Sequence, residues 1–420
     1  MSVPQVPFFR PDIGESEIGE VVDTLRSGWL TTGPKVRAFE EMFREAVHAR
    51  YALAVNSCTA GLHLALEALG VGPGDAVLVP TLTFAATAEV VRYLGAIPVL
   101  VDCDPVTLNM DLNDAAMKIA RLNSGRAPGR LPPHLLVKGM IPVHVAGLML
   151  DVDAVRQFAR EFHLWTVDDA AHAFPAAWRS NSSHPWRQCG EGTAAISCFS
   201  FYANKTITTG EGGMIVTNDA ALAERMKLMA LHGLSADAWS RYSGKGSWDY
   251  QIIAPGFKYN LTDIAAAIGL HQLARAEEMR LRREAVALRY YELLGDVAEI
   301  ELPPNPANRI HSWHLFPIKL RLARLGIDRS EFIRGLGQLG VGSSVHWRPL
   351  HLHPYYRQTF GWRPEDCPVA TAQWERLVSL PIFSSMTDAE VDQVAAAVRT
   401  LCYGRTRTAM SEAASAPPAS

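Results

Sequence analysis

Through the first two thirds of the chain, short apolar runs alternate with stretches whose apolar residues recur every three or four positions. YALAVNS (51–57) precedes the amphipathic TAGLHLALEAL (59–69), and DAVLVP (75–80) precedes FAATAEVVRYL (84–94). IPVLVD (97–102), GMIPVHV (139–145) and LWTVDDA (164–170) read as further buried strands, with DVDAVRQFAREF (151–162) as the helix between the last two. AISCFSF (195–201) and GGMIVTN (212–218) complete the series, and a helix begins near Ala220. Continuous apolar strands alternating with helices predict an α/β layer around a mixed or mostly parallel sheet.

The pattern changes after residue 260. TDIAAAIGLHQLARAEEMRLRREAVALRYYELL (262–294) reads as one long helical region, apolar at first and then strongly charged. HSWHLFPIKL (311–320), a helix after Asp328, GVGSSVHW (340–347) and TDAEVDQVAAAVRTL (387–401) predict a smaller α+β unit. The expected division is a large domain over 1–260 that includes an N-terminal helix near Glu15–Leu25. A linking helix over 261–295, a small domain over 296–403 and a disordered tail over 404–420 follow.

Composition narrows the class. Lys plus Arg total 40 and Asp plus Glu 43, a net charge of −3. With no basic stripe, nucleic acid is not an expected partner. No apolar stretch reaches membrane-spanning length, so no membrane partner is expected either. The opening MSVPQVPFFRPDIG lacks the basic and apolar regions of a signal peptide. Cys58, Cys103, Cys189, Cys198, Cys367 and Cys402 are scattered without a CxxC pair. The expectation is a cytoplasmic enzyme with reduced thiols.

Three stretches carry candidate chemistry. VDDAAH (167–172) puts Asp168 and Asp169 at a strand's carboxyl end, where open α/β sheets bind ligands. A carboxylate there can hold a protonated ring nitrogen, or merely cap the following turn. NSCTAG (56–61) joins a strand to a helix whose free amides suit a phosphate, although any such junction favours Ser and Thr. FSFYANKTITTGEGG sets Lys205 among small polar residues before Gly210, Gly212 and Gly213. Such an amine can attack an aldehyde and relay a proton; otherwise it is a solvated loop lysine. No metal spacing, GxSxG elbow, Walker motif or GxGxxG accompanies them.

Taken together, SGWLTTGPKVRAFE, NSCTAGLHLAL, PTLTFAATAEVV, VDDAAHAF, FSFYANKTITTGEGG and GFKYNLTDIAAAIGLHQL resemble the sugar-nucleotide aminotransferases of the DegT/DnrJ type. The likeness covers about residues 7 to 400. The last motif, with HGLSADAW (232–239) and HSWHLF (311–316), is most similar to the branch that makes UDP-4-amino-4-deoxy-L-arabinose. The resemblance implies pyridoxal 5'-phosphate as cofactor. It also implies the PLP-dependent transferase fold type I, like aspartate aminotransferase, with a mixed central sheet and a smaller C-terminal α+β domain.

The resemblance also implies roles. Lys205 would join the cofactor covalently and shuttle the proton, and Asp169 would pair with the ring nitrogen. His172 would lie near the phenolic oxygen, and Phe84 would stack on the ring between Thr83 and Ala85. Cys58, Thr59 and Ser200 would hold the phosphate, with Asn260 reaching it from the other subunit of a homodimer. Arg10, Lys35 and Arg348 are candidate cations for the diphosphate of the acceptor, and Trp239, Tyr242 and Trp347 candidate aromatic walls. The implied reaction moves the amine of L-glutamate to the keto group, at C4, of a nucleotide-linked keto-sugar. Amination at C3, and a non-catalytic binding or regulatory protein on the same fold, are the alternatives. A sugar 3-dehydratase of the family would carry histidine where this chain has Lys205. Cys58 stands where many relatives have glycine or alanine, and KYNL (258–261) where many read NYRM. The stretch VGSSVHWRPLHLHPYY also differs from the arabinose branch.

Overall fold

The computed structural model describes residues 5–234 and 251–403. Trp239, Tyr242, most of HGLSADAW and the expected tail lie outside the described residues. Strands β1 (Tyr51–Val55), β2 (Asp75–Pro80), β3 (Ile97–Val101), β4 (Leu136–Met140) and β5 (Trp165–Asp169) come first. Two short strands, β6 (Ala177–Trp178) and β7 (Arg187–Gln188), precede β8 (Ile196–Ser200) and β9 (Gly213–Thr217). The last four are β10 (Ile300–Glu301), β11 (Arg309–Ile310), β12 (Phe316–Leu320) and β13 (Leu377–Leu380).

Seven strands form the central sheet in the order β1-β9-β8-β5-β4-β2-β3. β3, β2, β4, β5 and β8 run parallel, whereas β9 is antiparallel to both β8 and β1. β1 therefore points the same way as β5 and β8. Their carboxyl ends, and the start of β9, share one edge of the sheet. Ligands of open α/β sheets bind at such an edge because the helices that follow the strands present free amides there.

The central strands are mostly apolar because helices cover both faces. Val77, Leu78, Val99, Leu100, Val167 and Ile196 are fully buried in the main core with Leu62, Leu64 and Leu66 of the helix Cys58–Ala68. Phe39 and Phe43 of the helix Pro34–Ala46 pack against Phe199 and Phe201 on another part of the sheet. β10, β12 and β13 form a second, antiparallel sheet. It has its own core, in which Phe316, Ile318, Val378 and Leu380 meet Val394 and Val398 of the helix Asp388–Tyr403.

Two elements differ from the expected pattern. The long helical region is two helices, Asp263–Ala274 and Ala276–Leu294, meeting at Arg275. The Arg275 side chain turns back to Asp12 and Glu17, so the junction is pinned to the chain's N-terminal end. GMIPVHV ends as a strand at Met140 and becomes a short 3-10 turn at Val145–Gly147. Ala146 and Gly147 adopt positive φ, which no strand residue does. Among the described residues no helix is long and apolar enough to cross a membrane.

Candidate active site

The shared edge of the sheet opens into a cavity of about 480 Å³. β1 ends at its rim, and Ser57 caps the helix Cys58–Ala68 by accepting a hydrogen bond from the Ala60 amide at 3.0 Å. The amides of Cys58 and Thr59 lie in that helix's first turn, where no preceding carbonyl is available to them. β9 starts hard against this turn. A Cβ on Gly213 would lie 2.7 Å from the Cys58 nitrogen, so only glycine fits. Ser200, at the end of β8, joins Ser57, Cys58 and Thr59 in the cavity wall. The Cys58 thiol faces away, donating to the Cys198 carbonyl at 3.5 Å, and burial pushes its pKa well up. An anion in this cradle would meet backbone amides and hydroxyls, not a thiolate.

Successive residues of a strand point to opposite faces, and the two aspartates at the end of β5 do so. Asp168 accepts from Thr193 Oγ1 at 2.6 Å and Ser197 Oγ at 3.2 Å. His144 Nε2 lies 3.7 Å from it, on the side away from the cavity. Folding also brings Cys189 near, so that one potential ligand atom from each of His144, Asp168 and Cys189 lies within 4.8 Å of the others. Asp169 instead faces the cavity, held by Thr87 Oγ1 at 2.8 Å and the Ala171 amide at 3.2 Å. Thr87 is held in turn by Thr83, 2.8 Å away. Burial raises the Asp169 pKa and outweighs both hydrogen bonds. This carboxylate gains from a nearby cation.

Lys205 sits in the turn after β8, half-buried, with its amine on the cavity. Desolvation lowers its pKa to about 8, although Cys58 and Asp169 pull the other way. Its Nζ lies 3.4 Å from His314 Nε2. The His314 ring is buried against His172, at a centroid distance of 4.1 Å, and His172 stacks on Trp347 at 5.1 Å. Burial depresses both histidines well below the usual range, so both are neutral near pH 7. His172 Nδ1 and Asn204 Oδ1 are buried in the wall without a partner among the described residues. Phe84 also lines the cavity, 64% exposed, an aromatic face on which no ring among the described residues stacks.

The described structure thus brings Cys58, Thr59, Phe84, Asp169, His172, Ser200, Lys205 and Trp347 into one cavity. It does not bring the three candidate cations there. Arg10 pairs with Glu390 at 3.0 Å, and Lys35 with Glu20 at 2.6 Å and Asp23 at 3.0 Å. Arg348 donates to the Leu352 carbonyl at 3.0 Å and lies over Trp374. Asn260 lies outside this cavity and donates to Thr32 Oγ1 at 2.6 Å. Several wall residues were given no role from the sequence: Tyr202, Glu211, His314 and His346, with Thr87 behind Asp169. Thr87 follows Phe84 by three positions, one helical turn, which is the signal that could have found it. His314 lies 109 residues from Lys205. It is set by Arg283, whose buried guanidinium donates to the carbonyls of Trp313 at 3.2 Å and Ile382 at 2.9 Å.

A cradle for an anion, a carboxylate awaiting a cation, an amine of lowered pKa and an open aromatic face match the four parts of pyridoxal phosphate: phosphate, ring nitrogen, aldehyde and ring. The chain is 44% identical over 394 residues to the protein MJ1066 of Methanocaldococcus jannaschii, covering 94% of this chain and 97% of that one. It is 42% identical over 400 residues to the spore coat polysaccharide biosynthesis protein SpsC of Bacillus subtilis, covering 95% and 97%. Among solved structures it resembles a putative sugar aminotransferase, Spr1654 of Streptococcus pneumoniae, in its PLP form. The TM-score is 0.82 at 31% identity, over 95% of this chain and 99% of that one. Spr1654 in its PMP form gives a TM-score of 0.84. These relatives do not single out the UDP-4-amino-4-deoxy-L-arabinose branch. The model of the DegT/DnrJ/EryC1/StrS aminotransferase family matches residues 11–399. With nearly its whole length inside that match, the chain belongs to this family and is a pyridoxal-phosphate-dependent sugar aminotransferase of fold type I.

Proposed function

We propose that this enzyme transfers the amino group of L-glutamate to C4 of a nucleotide-linked keto-sugar, releasing 2-oxoglutarate and an amino-sugar nucleotide. The observation that carries the reading is one cavity in which a lysine of lowered pKa and a buried, cation-seeking carboxylate share the wall with a helix N-terminus. The chemistry that pyridoxal phosphate supplies when bound is an aldehyde that carries the amino group and a ring that accepts an electron pair.

Each residue then has a task. The Cys58 and Thr59 amides and Ser200 bind the phosphate, and Phe84 supports the ring face. Asp169 holds the ring nitrogen's proton, its own charge being costly without a cation. Lys205 Nζ would be the base that takes the α-proton of glutamate in one half-reaction and the acid that gives a proton to the sugar's C4 in the other. With a pKa near 8, its neutral form is available close to neutrality. His314, itself neutral, lies within hydrogen-bonding distance of that amine and keeps it aimed into the cavity. His172 and Trp347 exclude water beside it. The name of SpsC supports a product bound for a surface polysaccharide.

The test compares purified holoenzyme with Lys205→Ala. L-Glutamate should bleach the visible absorbance of the lysine-bound cofactor in the wild type, and a nucleotide-linked 4-keto-sugar should restore it. Lys205→Ala should lack the band and turn over no donor. A wild type that responds to no amino donor would leave a binding protein on this fold. Restoration only by a 3-keto-sugar would move the amination to C3.

A further inference from the structure

A second groove lies away from the cavity. Arg121, Arg130, Arg357 and Arg363 line it, and among the described residues no carboxylate does. Its volume is about 1030 Å³, and it shares no lining residue with the cavity around Lys205. Arg121 belongs to the last turn of the helix Leu112–Asn123, and Arg130 to the connection that enters β4. β4 is parallel to β5, so the groove faces the edge where β4 begins, whereas Asp169 marks the edge where β5 ends.

Two glycine turns build this groove. The Arg130 amide donates to the Phe360 carbonyl at 2.6 Å, fixing the 125–131 loop on the end of the helix Pro354–Phe360. Gly129 has a φ of +58°, and a Cβ there would stand 2.4 Å from the Phe360 oxygen. Gly361 has a φ of +68°, and a Cβ there would stand 2.7 Å from Arg130 Cγ. Only glycine allows both left-handed conformations at this approach. The backbone thus holds Arg130 and Arg357 in the lining of one groove.

The charge is largely uncompensated. Arg363 pairs with Glu365 at 3.2 Å and Asp366 at 3.6 Å, and Arg121 donates to the Arg126 carbonyl at 3.3 Å. Among the described residues neither Arg130 nor Arg357 makes an ion pair. Like charges gathered on a pinned backbone raise the local potential and favour a multivalent anion. Guanidinium forks match phosphate oxygens two at a time, and several forks along a groove match adjacent phosphates better than one. We propose that this groove is a second binding site, for a small molecule carrying a diphosphate, separate from the catalytic cavity.

The test is calorimetric titration of the full-length, PLP-loaded enzyme with inorganic pyrophosphate and, separately, with UDP. Wild type should show saturable binding that weakens as salt rises. Arg130→Ala/Arg357→Ala should weaken it by about tenfold or more for each arginine lost. The half-reaction with L-glutamate, which involves no diphosphate, should be unchanged. Arg130→Lys/Arg357→Lys keeps the charge and loses the forks, so it should bind with intermediate affinity even where the alanine variant folds poorly. UDP binding tighter than pyrophosphate, and lost in the same variants, identifies a nucleotide; equal affinities identify the bare diphosphate. Absence of saturable pyrophosphate binding in wild type, or equal binding in all variants, overturns the proposal.

Discussion

At the scale of single residues, burial sets the chemistry of Lys205. Its ammonium loses hydration in the cavity, and the charge of Asp169 only partly offsets the loss, so the pKa falls from 10.5 to about 8. The neutral amine is the form that attacks an aldehyde. Below pH 8 each unit of rising pH multiplies its population about tenfold, and above pH 8 the population levels off. Uptake of pyridoxal phosphate by cofactor-free enzyme, followed by absorbance in a stopped-flow experiment, should rise and level in that way. A rate still climbing at pH 10 would mean an ordinary solvated lysine. The residue scale also shows what a motif hides. Asp168 and Asp169 are adjacent in VDDAAH, but the pleat sends one to Thr193 and Ser197 and the other to the cavity. Their residue types alone do not separate them; the strand's period of two does, once its faces are known.

At the scale of elements, the phosphate cradle depends on how closely two of them meet. The start of β9 approaches the first turn of the helix Cys58–Ala68 so closely that a Cβ at Gly213 would lie 2.7 Å from both the Cys58 nitrogen and the Ser57 carbonyl carbon. Backbone cannot give way as a flexible side chain does. Gly213→Ala should shift the helix start and weaken pyridoxal-phosphate affinity about tenfold or more, since anion binding there relies on aligned amides. Equilibrium dialysis would measure this, and an unchanged affinity would show that the cradle tolerates displacement. The strand and helix alternation was legible in sequence because a buried parallel sheet demands apolar runs. The break at Arg275 was not, because no glycine or proline marks it. Arg275 there pairs with Asp12 and Glu17, some 260 positions back, a contact no local pattern announces.

At the scale of the whole molecule, the site draws on both sheets. Lys205 and Asp169 come from the central sheet, whereas His314 precedes β12 of the second sheet and is set by Arg283 of the helix Ala276–Leu294. Asn260 lies outside its own chain's cavity. We propose that it serves the cavity of a second copy in a C2 homodimer. Dilution that dissociates the dimer should then release cofactor, with the sedimentation and absorbance changes tracking each other. A stable monomer that retains all its cofactor would rule out that role for Asn260.

What the sequence determined by itself was local: apolar strands that must be buried, a glycine-bordered lysine after one of them, and an acidic pair at the end of another. Those features follow from periodicity and from the conformations that glycine alone permits. Only the tertiary structure decided which charges meet. Arg10, Lys35 and Arg348 read equally well as ligands for a diphosphate, but each has a partner outside the cavity. Arg130 and Arg357, 227 positions apart, carried no signal until two glycine turns joined the loop of one to the end of the other's helix. A long cationic side chain takes whichever partner lies within a few ångströms, and that distance exists only once the chain has folded.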